Sequence, residues 1–401
     1  MLLPAEEAIR QIQQHCQTSG TSEFAIEDKN IYGTVCAENV FADRNIPPFN
    51  RAAVDGFAIR YQDIEKGIKT FTIIGTLTAG SDQVFHPGEG ECVHVMTGAP
   101  VPSPADIMYK IEETETDGQT TTIPEEKYNR FMNIAREGED SKAGDLLVPQ
   151  GTRIDSSVLP VLAGVGKFNI KTHKRPEVTL ITTGDEIIPV TQTPLPWQIR
   201  DSSSFSLRQL LFHYGITLKE RVLIKDNREE LTAAIKQGLA SDILLLTGGV
   251  SMGTTDIIPD ILSGLGVEKV FHKLKIKPGK PLWFGKTKTA AVFGLPGNPV
   301  SSQVGLKIFV EPYIRKFMGL AEQKTIWLPL AQDKTKKHDL TEFTQGKIIS
   351  KDNKSYLQPI KHHGSGDYVH LLSTDGLMVH PAEELTLKAG QYLQFYPWRS
   401  L

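Results

Sequence analysis

The chain has 401 residues, 39% of them hydrophobic, which is enough for two to four domains with real cores. Its 44 Lys and Arg against 47 Asp and Glu leave a net charge of -3. No global basic excess is there to neutralise phosphates, so a nucleic-acid binder is not favoured, whereas a local basic strip could still serve a small anionic ligand.

Residues 4–16 predict an amphipathic helix with Ala5, Ala8, Ile9 and Ile12 on one face. The N-terminus carries acids early and lacks a basic, then long apolar, leader, so no signal peptide is expected. Residues 46–140 read as a small all-β domain, with β-rich runs at 71–77, 91–99 and 106–113 and an Asp117-Gly118 turn between strands. Residues 141–173 return toward the first helix, so 1–45 with 141–173 are expected to form one discontinuous domain. Residues 174–323 alternate strand and helix, the pattern of right-handed βαβ units and a parallel sheet. Residues 324–401 return to β patterning, a small C-terminal barrel or sandwich. No apolar string approaches the roughly 18 residues needed to span a bilayer. A soluble, cytoplasmic protein of α/β plus β class is expected.

In a parallel α/β sheet, ligands bind at the carboxyl ends of strands. Three loops take that place: Thr182-Thr183-Gly184-Asp185-Glu186, Thr247-Gly248-Gly249-Val250-Ser251-Met252-Gly253 and Gly294-Leu295-Pro296-Gly297-Asn298-Pro299. Glycine lets backbone amides approach a phosphate or oxyanion; ordinary tight turns are the plain alternative. None of the loops is a Walker A or a dinucleotide fingerprint, so an ATPase or nicotinamide dehydrogenase is not favoured. The segment Lys273-Leu274-Lys275-Ile276-Lys277-Pro278-Gly279-Lys280 puts Lys273, Lys275 and Lys277 on one face of an extended strand and Leu274 and Ile276 on the other. Clustered ammonium groups suit an anion; a lysine-guarded edge strand is the alternative. Asp185, Glu186, Asp201, Asp226 and Asp256 recur at strand ends, where carboxylates hold Mg²⁺ beside phosphate oxygens or simply cap helices and turns. Asp55 lies in an Asp-Gly turn, Val54 to Ala58, and Thr97 in the strand end Met96 to Pro100; both are ligand contacts or plain turns. Cys16, Cys36 and Cys92 are too far apart in sequence for a zinc ribbon or Cys-x-x-Cys pair and suit a reducing compartment. The adjacent pair His362-His363 fits no zinc spacing.

Taken in order, Val54-Asp-Gly-Phe-Ala58, Met96-Thr-Gly-Ala-Pro100, Arg136-Glu-Gly-Glu-Asp140, Thr182 to Glu186, Thr247-Gly-Gly-Val-Ser-x-Gly-x-x-Asp256, Lys273-x-x-x-Lys-Pro-Gly-Lys-Pro281 and Gly294-Leu-Pro-Gly-Asn-Pro-Val-Ser301 resemble the molybdopterin molybdenumtransferase family, which includes the gephyrin E domain. The resemblance runs from about residue 4 to the end. It implies four domains and an elongated homodimer with a parallel α/β molybdopterin-binding-type domain. It also implies a site between subunits and a reaction in which adenylylated molybdopterin and molybdate give molybdenum cofactor and AMP, with Mg²⁺ required. The residues it implies for catalysis are Asp55, Thr97, Glu186, Asp226, Asp256, Lys273 and Lys277, with Glu186 and Asp256 on the metal. Those implied for substrate binding are Asp140, Asp201, Gly248, Gly249, Ser251, Lys280, Pro296, Gly297, Asn298, Ser301 and Ser365.

The chain departs from the family pattern in a few places. Val54 and Phe57 stand where the family usually has Met and Tyr, Ser203 where it has Asn, Ala135 where it has Arg, and Ser373-Thr374-Asp375 where Ala-Asn is usual. A non-catalytic molybdopterin or molybdate carrier or scaffold of the same fold, or a related enzyme handling tungstate or another adenylylated nucleotide, is the competing reading. A separate adenylyltransferase is the expected pathway partner.

Overall fold

The computed structural model describes residues 2–125, 128–249, 257–321, 325–361 and 363–398. Ser251 and Asp256 therefore lie outside the described residues. The chain forms two compact units. One comprises Asn39–Pro149 with Val158–Phe168; the other comprises Met1–Glu38, Gln150–Ser157 and Asn169–Leu401.

The smaller unit holds a six-stranded sheet. Its strands are β1 (Gly56–Ile59), β2 (Thr70–Leu77), β3 (Glu91–Val95), β4 (Ile107–Lys110), β5 (Glu115–Thr116) and β6 (Thr120–Thr122), in the order β4-β1-β3-β2-β6-β5. The expected Asp-Gly turn joins β5 to β6, and the Asp117 carboxylate accepts the Gln119 and Thr120 amides at 2.9 and 2.6 Å. Alternate residues feed two cores, Ala58, Val93 and Met108 on one face and Phe57, Cys92 and Tyr109 on the other. Phe57 is buried in this second core with its ring 5.1 Å from that of His94, an apolar setting in which a phenol oxygen would have to find a partner.

In the larger unit, α1 (Ala5–Gln14) buries Ala5, Ala8 and Ile12, as its spacing predicts. A small sheet pairs Thr21–Ala25 and Val35–Cys36 with Asn169–His173. The α/β sheet comprises β7 (Val178–Thr183), β8 (Leu218–Ile224), β9 (Ile243–Thr247), β10 (Glu268–His272), β11 (Trp283–Lys286) and β12 (Ala291–Leu295), in the order β8-β7-β9-β12-β11-β10. The first four run parallel. The sheet then continues into a strand, β11, antiparallel to both neighbours. The cause is local: Thr287 to Ala290 close a tight turn that leads β11 straight back into β12, too short for a crossover helix.

Helices cover both faces, so the central strands are buried throughout and mostly apolar. Ile243, Leu245 and Phe293 pack with Leu207 and Leu211 of α2 (Ser203–Phe212). Leu244, Leu246 and Val292 pack with Leu231 and Ile235 of α3 (Arg228–Gly238) and with Ile258 and Ile261 of α4 (Ile258–Gly264). The helical segment after β12 is α5 (Pro299–Gly305), a π turn (Leu306–Val310) and α6 (Glu311–Phe317). Pro312 supplies no N–H to the preceding turn, and the π turn takes up the change of register.

Residues 326–397 build a β sheet ordered Ile276–Lys277, β13 (Thr341–Lys351), Gly376–His380, Tyr392–Pro397 and Ile326–Pro329. The lysine segment of the α/β part is thus the edge of this C-terminal sheet. The three thiols are free and buried, and burial pushes Cys16 and Cys92 up to about 12 and Cys36 to about 11. No helix among the described residues is long and apolar enough to cross a membrane.

Candidate functional site

At the carboxyl ends of β7, β9 and β12 lies a cleft of about 360 Å³. Thr182, Thr183, Gly184 and Glu186 enter it from the first loop, Thr247, Gly248 and Gly249 from the second, and Pro296, Gly297 and Asn298 from the third. The three loops read from sequence are therefore brought together at one place. The first two loops meet because Gly248 has no side chain, and the third packs against it at ordinary contact distance. Gly248 has φ +91°, and a Cβ there would sit 2.1 Å from the Thr183 carbonyl oxygen; a Cβ on Gly297 would lie 3.5 Å from Cα of Gly248. Thr247 Oγ1 donates to the Pro296 carbonyl at 3.4 Å, tying the second loop to the third.

Two further acids line the cleft, Asp201 and Asp226. Asp201 is buried, and its carboxylate accepts the Ser204 amide at 3.1 Å and the Ser204 hydroxyl, so it does cap α2. Asp226 is relieved of capping. Asn227 takes that part for α3, accepting the Glu229 and Glu230 amides at 3.0 Å each. Asp226 instead accepts from Thr183 Oγ1 at 2.5 Å, and its amide donates to Asp185 Oδ1 at 3.2 Å. The Glu186 carboxylate makes no hydrogen bond or ion pair with a described residue. Ser203, the departure from the usual Asn, donates its hydroxyl to the Gly297 carbonyl at 3.2 Å and holds α2 against the third loop.

The lysine segment is anchored as its alternation predicts, Leu274 and Ile276 being fully buried. It is not one extended strand, however. Lys273 adopts φ +73°, and the Leu274 amide donates back to the Lys280 carbonyl at 2.8 Å, closing a loop. Lys275 is paired with Asp339 at 3.0 Å. Lys273, Lys277 and Lys280 pair with no acid among the described residues, and the next residue, Pro281, lines the cleft. Ser301 is buried in α5 and is not among the lining residues. Ser365 Oγ accepts from Asn298 Nδ2 at 2.9 Å.

Asp55, Thr97 and Asp140 belong to the smaller unit. Asp55 Oδ1 accepts both the amide and the hydroxyl of Thr97, at 2.6 and 2.8 Å, and the amide bond foremost holds its carboxyl below the usual range. Asp140 is exposed, its amide bonded to the Ile46 carbonyl at 3.0 Å. Sequence reasoning quoted Thr183 within its loop without assigning it a part; a threonine ending a buried strand beside a glycine was the available signal. Among the described residues, no group of three or more His, Cys, Asp or Glu is placed to hold a metal ion.

Three family models match the chain. The MoeA N-terminal region (domains I and II) matches residues 3–166, a probable molybdopterin binding domain matches 179–316, and the MoeA C-terminal region (domain IV) matches 328–398. The molybdopterin molybdenumtransferase of a Synechocystis species is 30% identical over 397 residues, covering 98% of each chain. The chain belongs to the molybdopterin molybdenumtransferase family. The Bacillus subtilis member is 28% identical over 402 residues, covering 98% of this chain and 93% of its own. The crystal structure of the molybdopterin biosynthesis MoeA protein of Pyrococcus horikoshii aligns over 100% of both chains, with a TM-score of 0.78 and 27% identity. Among the departures, Ser203 keeps a polar partner in the Gly297 carbonyl, whereas Phe57 packs against the His94 ring, whose buried Nε2 has no hydrogen-bond partner among the described residues.

Proposed function

We propose that this chain inserts molybdate into adenylylated molybdopterin with release of AMP, a specific form of the molybdenum transfer to molybdopterin that its relatives' name describes. The observation that carries the reading is the convergence of three glycine loops, an uncommitted Glu186 and the Asp226 carboxylate on one cleft at the carboxyl end of the sheet. The loops of Gly249 and Gly297 line the cleft, and their backbone amides would meet phosphate oxygens there, while the Gly248 amide donates to the Leu295 carbonyl at 3.3 Å and holds the second loop to β12. Lys273, Lys277 and Lys280 hold molybdate and stabilise the charge that grows on the leaving AMP. Asp226, fixed by Thr183, orients the attacking oxygen.

Carboxylate oxygens fit Mg²⁺, which commonly takes one or two of them and completes its shell with phosphate and water. Glu186 would hold it together with Asp256, which lies outside the described residues. An ion held by these carboxylates would supply positive charge to neutralise the phosphoanhydride oxygens. Asp140, Asp201, Pro296, Asn298, Ser301 and Ser365 remain the proposed shell of substrate contacts, with Ser251 outside the described residues. We propose further that two copies act as a cytoplasmic homodimer, one copy's Asp55 and Thr97 completing the other's cleft. A separate adenylyltransferase supplies the substrate.

The test is AMP release from adenylylated molybdopterin and Mg²⁺, followed with and without molybdate. Molybdate-dependent release that Glu186→Gln abolishes is expected. Tight substrate binding with no AMP released would overturn the transferase reading.

A further inference from the structure

Asn298 stands immediately before α5, where an asparagine ordinarily accepts amides of its own helix. It makes no such bond; its Nδ2 donates to Ser365 Oγ at 2.9 Å instead. The Ser365 carbonyl does the capping, accepting the Val300 amide at 3.2 Å. The third glycine loop is thus fastened through Ser365, which belongs to a turn far along the chain. Because Ser365 Oγ accepts from Asn298, its own proton is directed elsewhere, and no described residue takes it.

Beyond the backbone bonds from the Asp367 amide to the Gly364 carbonyl at 3.3 Å and from the Tyr368 amide to the Gly366 carbonyl at 3.0 Å, one carboxylate ties that turn to side chain and backbone on either side. Asp367 accepts the His363 amide at 2.9 Å, and His370 Nδ1 lies 2.8 Å from its Oδ1 and 2.7 Å from its Oδ2. Its side chain is 11% exposed, against 41% for His370. The His370 hydrogen bond, followed by the His363 amide, lowers the carboxyl to about 2, so the charged form is the one held.

We propose that the Asp367–His370 pair is a positioning clamp: it fixes the turn that aims the Ser365 hydroxyl and seats Asn298, and so governs how tightly the cleft holds an oxyanion. Neither residue touches the reacting atoms. The inference rests on the transferase reading only for its kinetic arm.

The experiment is a double-mutant cycle on molybdate-dependent AMP release, with melting temperature recorded for every variant. Asp367→Ala, and the half-exposed His370→Ala should the first misfold, are expected to raise KM for molybdate about tenfold, the effect of losing one charge-assisted hydrogen bond, with kcat held within about twofold. Ser365→Ala is expected to do the same, and Asp367→Ala on top of it to add nothing. Effects that multiply, a fall in kcat at unchanged KM, or no effect at all would overturn the clamp. A second arm needs no activity: Asp367→Ala should speed hydrogen exchange at the Val300 amide about tenfold. Unchanged exchange overturns the clamp, whereas an inactive wild type with accelerated exchange in the variant would sink the transferase reading alone.

Discussion

The two ends of the α/β sheet carry very different clefts. At the amino ends of β7, β9 and β12 lies the larger, about 950 Å³, lined among others by Glu177, Asp242, Lys174 and Lys288. Its charges are largely committed. Glu177 pairs with Lys219 at 2.6 Å, Asp242 accepts the Glu177 amide at 2.8 Å, and Arg175 donates to the carbonyls of Asn30, Tyr32 and Tyr214. At the carboxyl ends the cleft has about 360 Å³, yet it gathers three glycine loops and a Glu186 that bonds no described residue. Strand direction, not volume, separates the two, because the loops leaving the carboxyl ends converge on one point.

Glycine substitutions give the sharpest contrast. Gly248→Ala should destabilise the protein by about 2 kcal/mol or more, since the new Cβ meets a backbone oxygen at positive φ, and should abolish AMP release. Gly20→Ala, at the amino-end cleft with nothing within 4 Å of its Cβ, should leave both urea midpoint and activity unchanged. Equal effects would break the comparison. Among the cations, Lys277→Ala is expected to lower kcat/KM about a hundredfold, as losing one oxyanion donor does, and Lys288→Ala to leave it within about twofold. A loss on Lys288→Ala would move the anion site to the other end.

Much of this contrast was legible in the sequence, because it rests on local order. Strand–glycine–helix alternation placed the three loops at one edge, and Leu274 and Ile276 alternating with lysines fixed which side of that segment is buried. What stayed hidden depends on distant partners. The capping of α2 by Asp201 and the freeing of Asp226 by Asn227 turn on which carboxylate reaches which amide. The reversal of β11 rests on a four-residue strand, Trp283–Lys286, that directly follows the lysine segment and that the alternation of strand and helix does not single out. The left-handed Lys273 follows from closure onto Lys280, seven residues on. The tie between Asn298 and Ser365 spans 67 positions, beyond any local periodicity.

A smaller effect tests the comparison within a single strand, because β7 carries a buried threonine near each end. Thr179 Oγ1 lies 2.8 Å from Ser241 Oγ toward the amino end, and Thr183 Oγ1 donates to Asp226 at the carboxyl end. Valine matches threonine in shape, so each exchange removes one hydroxyl with little change in packing. Thr179→Val strands the buried Ser241 hydroxyl and should cost about 1 kcal/mol of stability with no change in activity. Thr183→Val leaves Asp226 in the cleft, where water can satisfy it, so stability should barely move. The carboxylate loses its orientation instead, and kcat should fall about tenfold, the worth of one charge-assisted hydrogen bond. If Thr183→Val behaved like Thr179→Val, costing stability and sparing kcat, Asp226 would be a structural acid. The carboxyl end would then differ from the amino end only in its glycines.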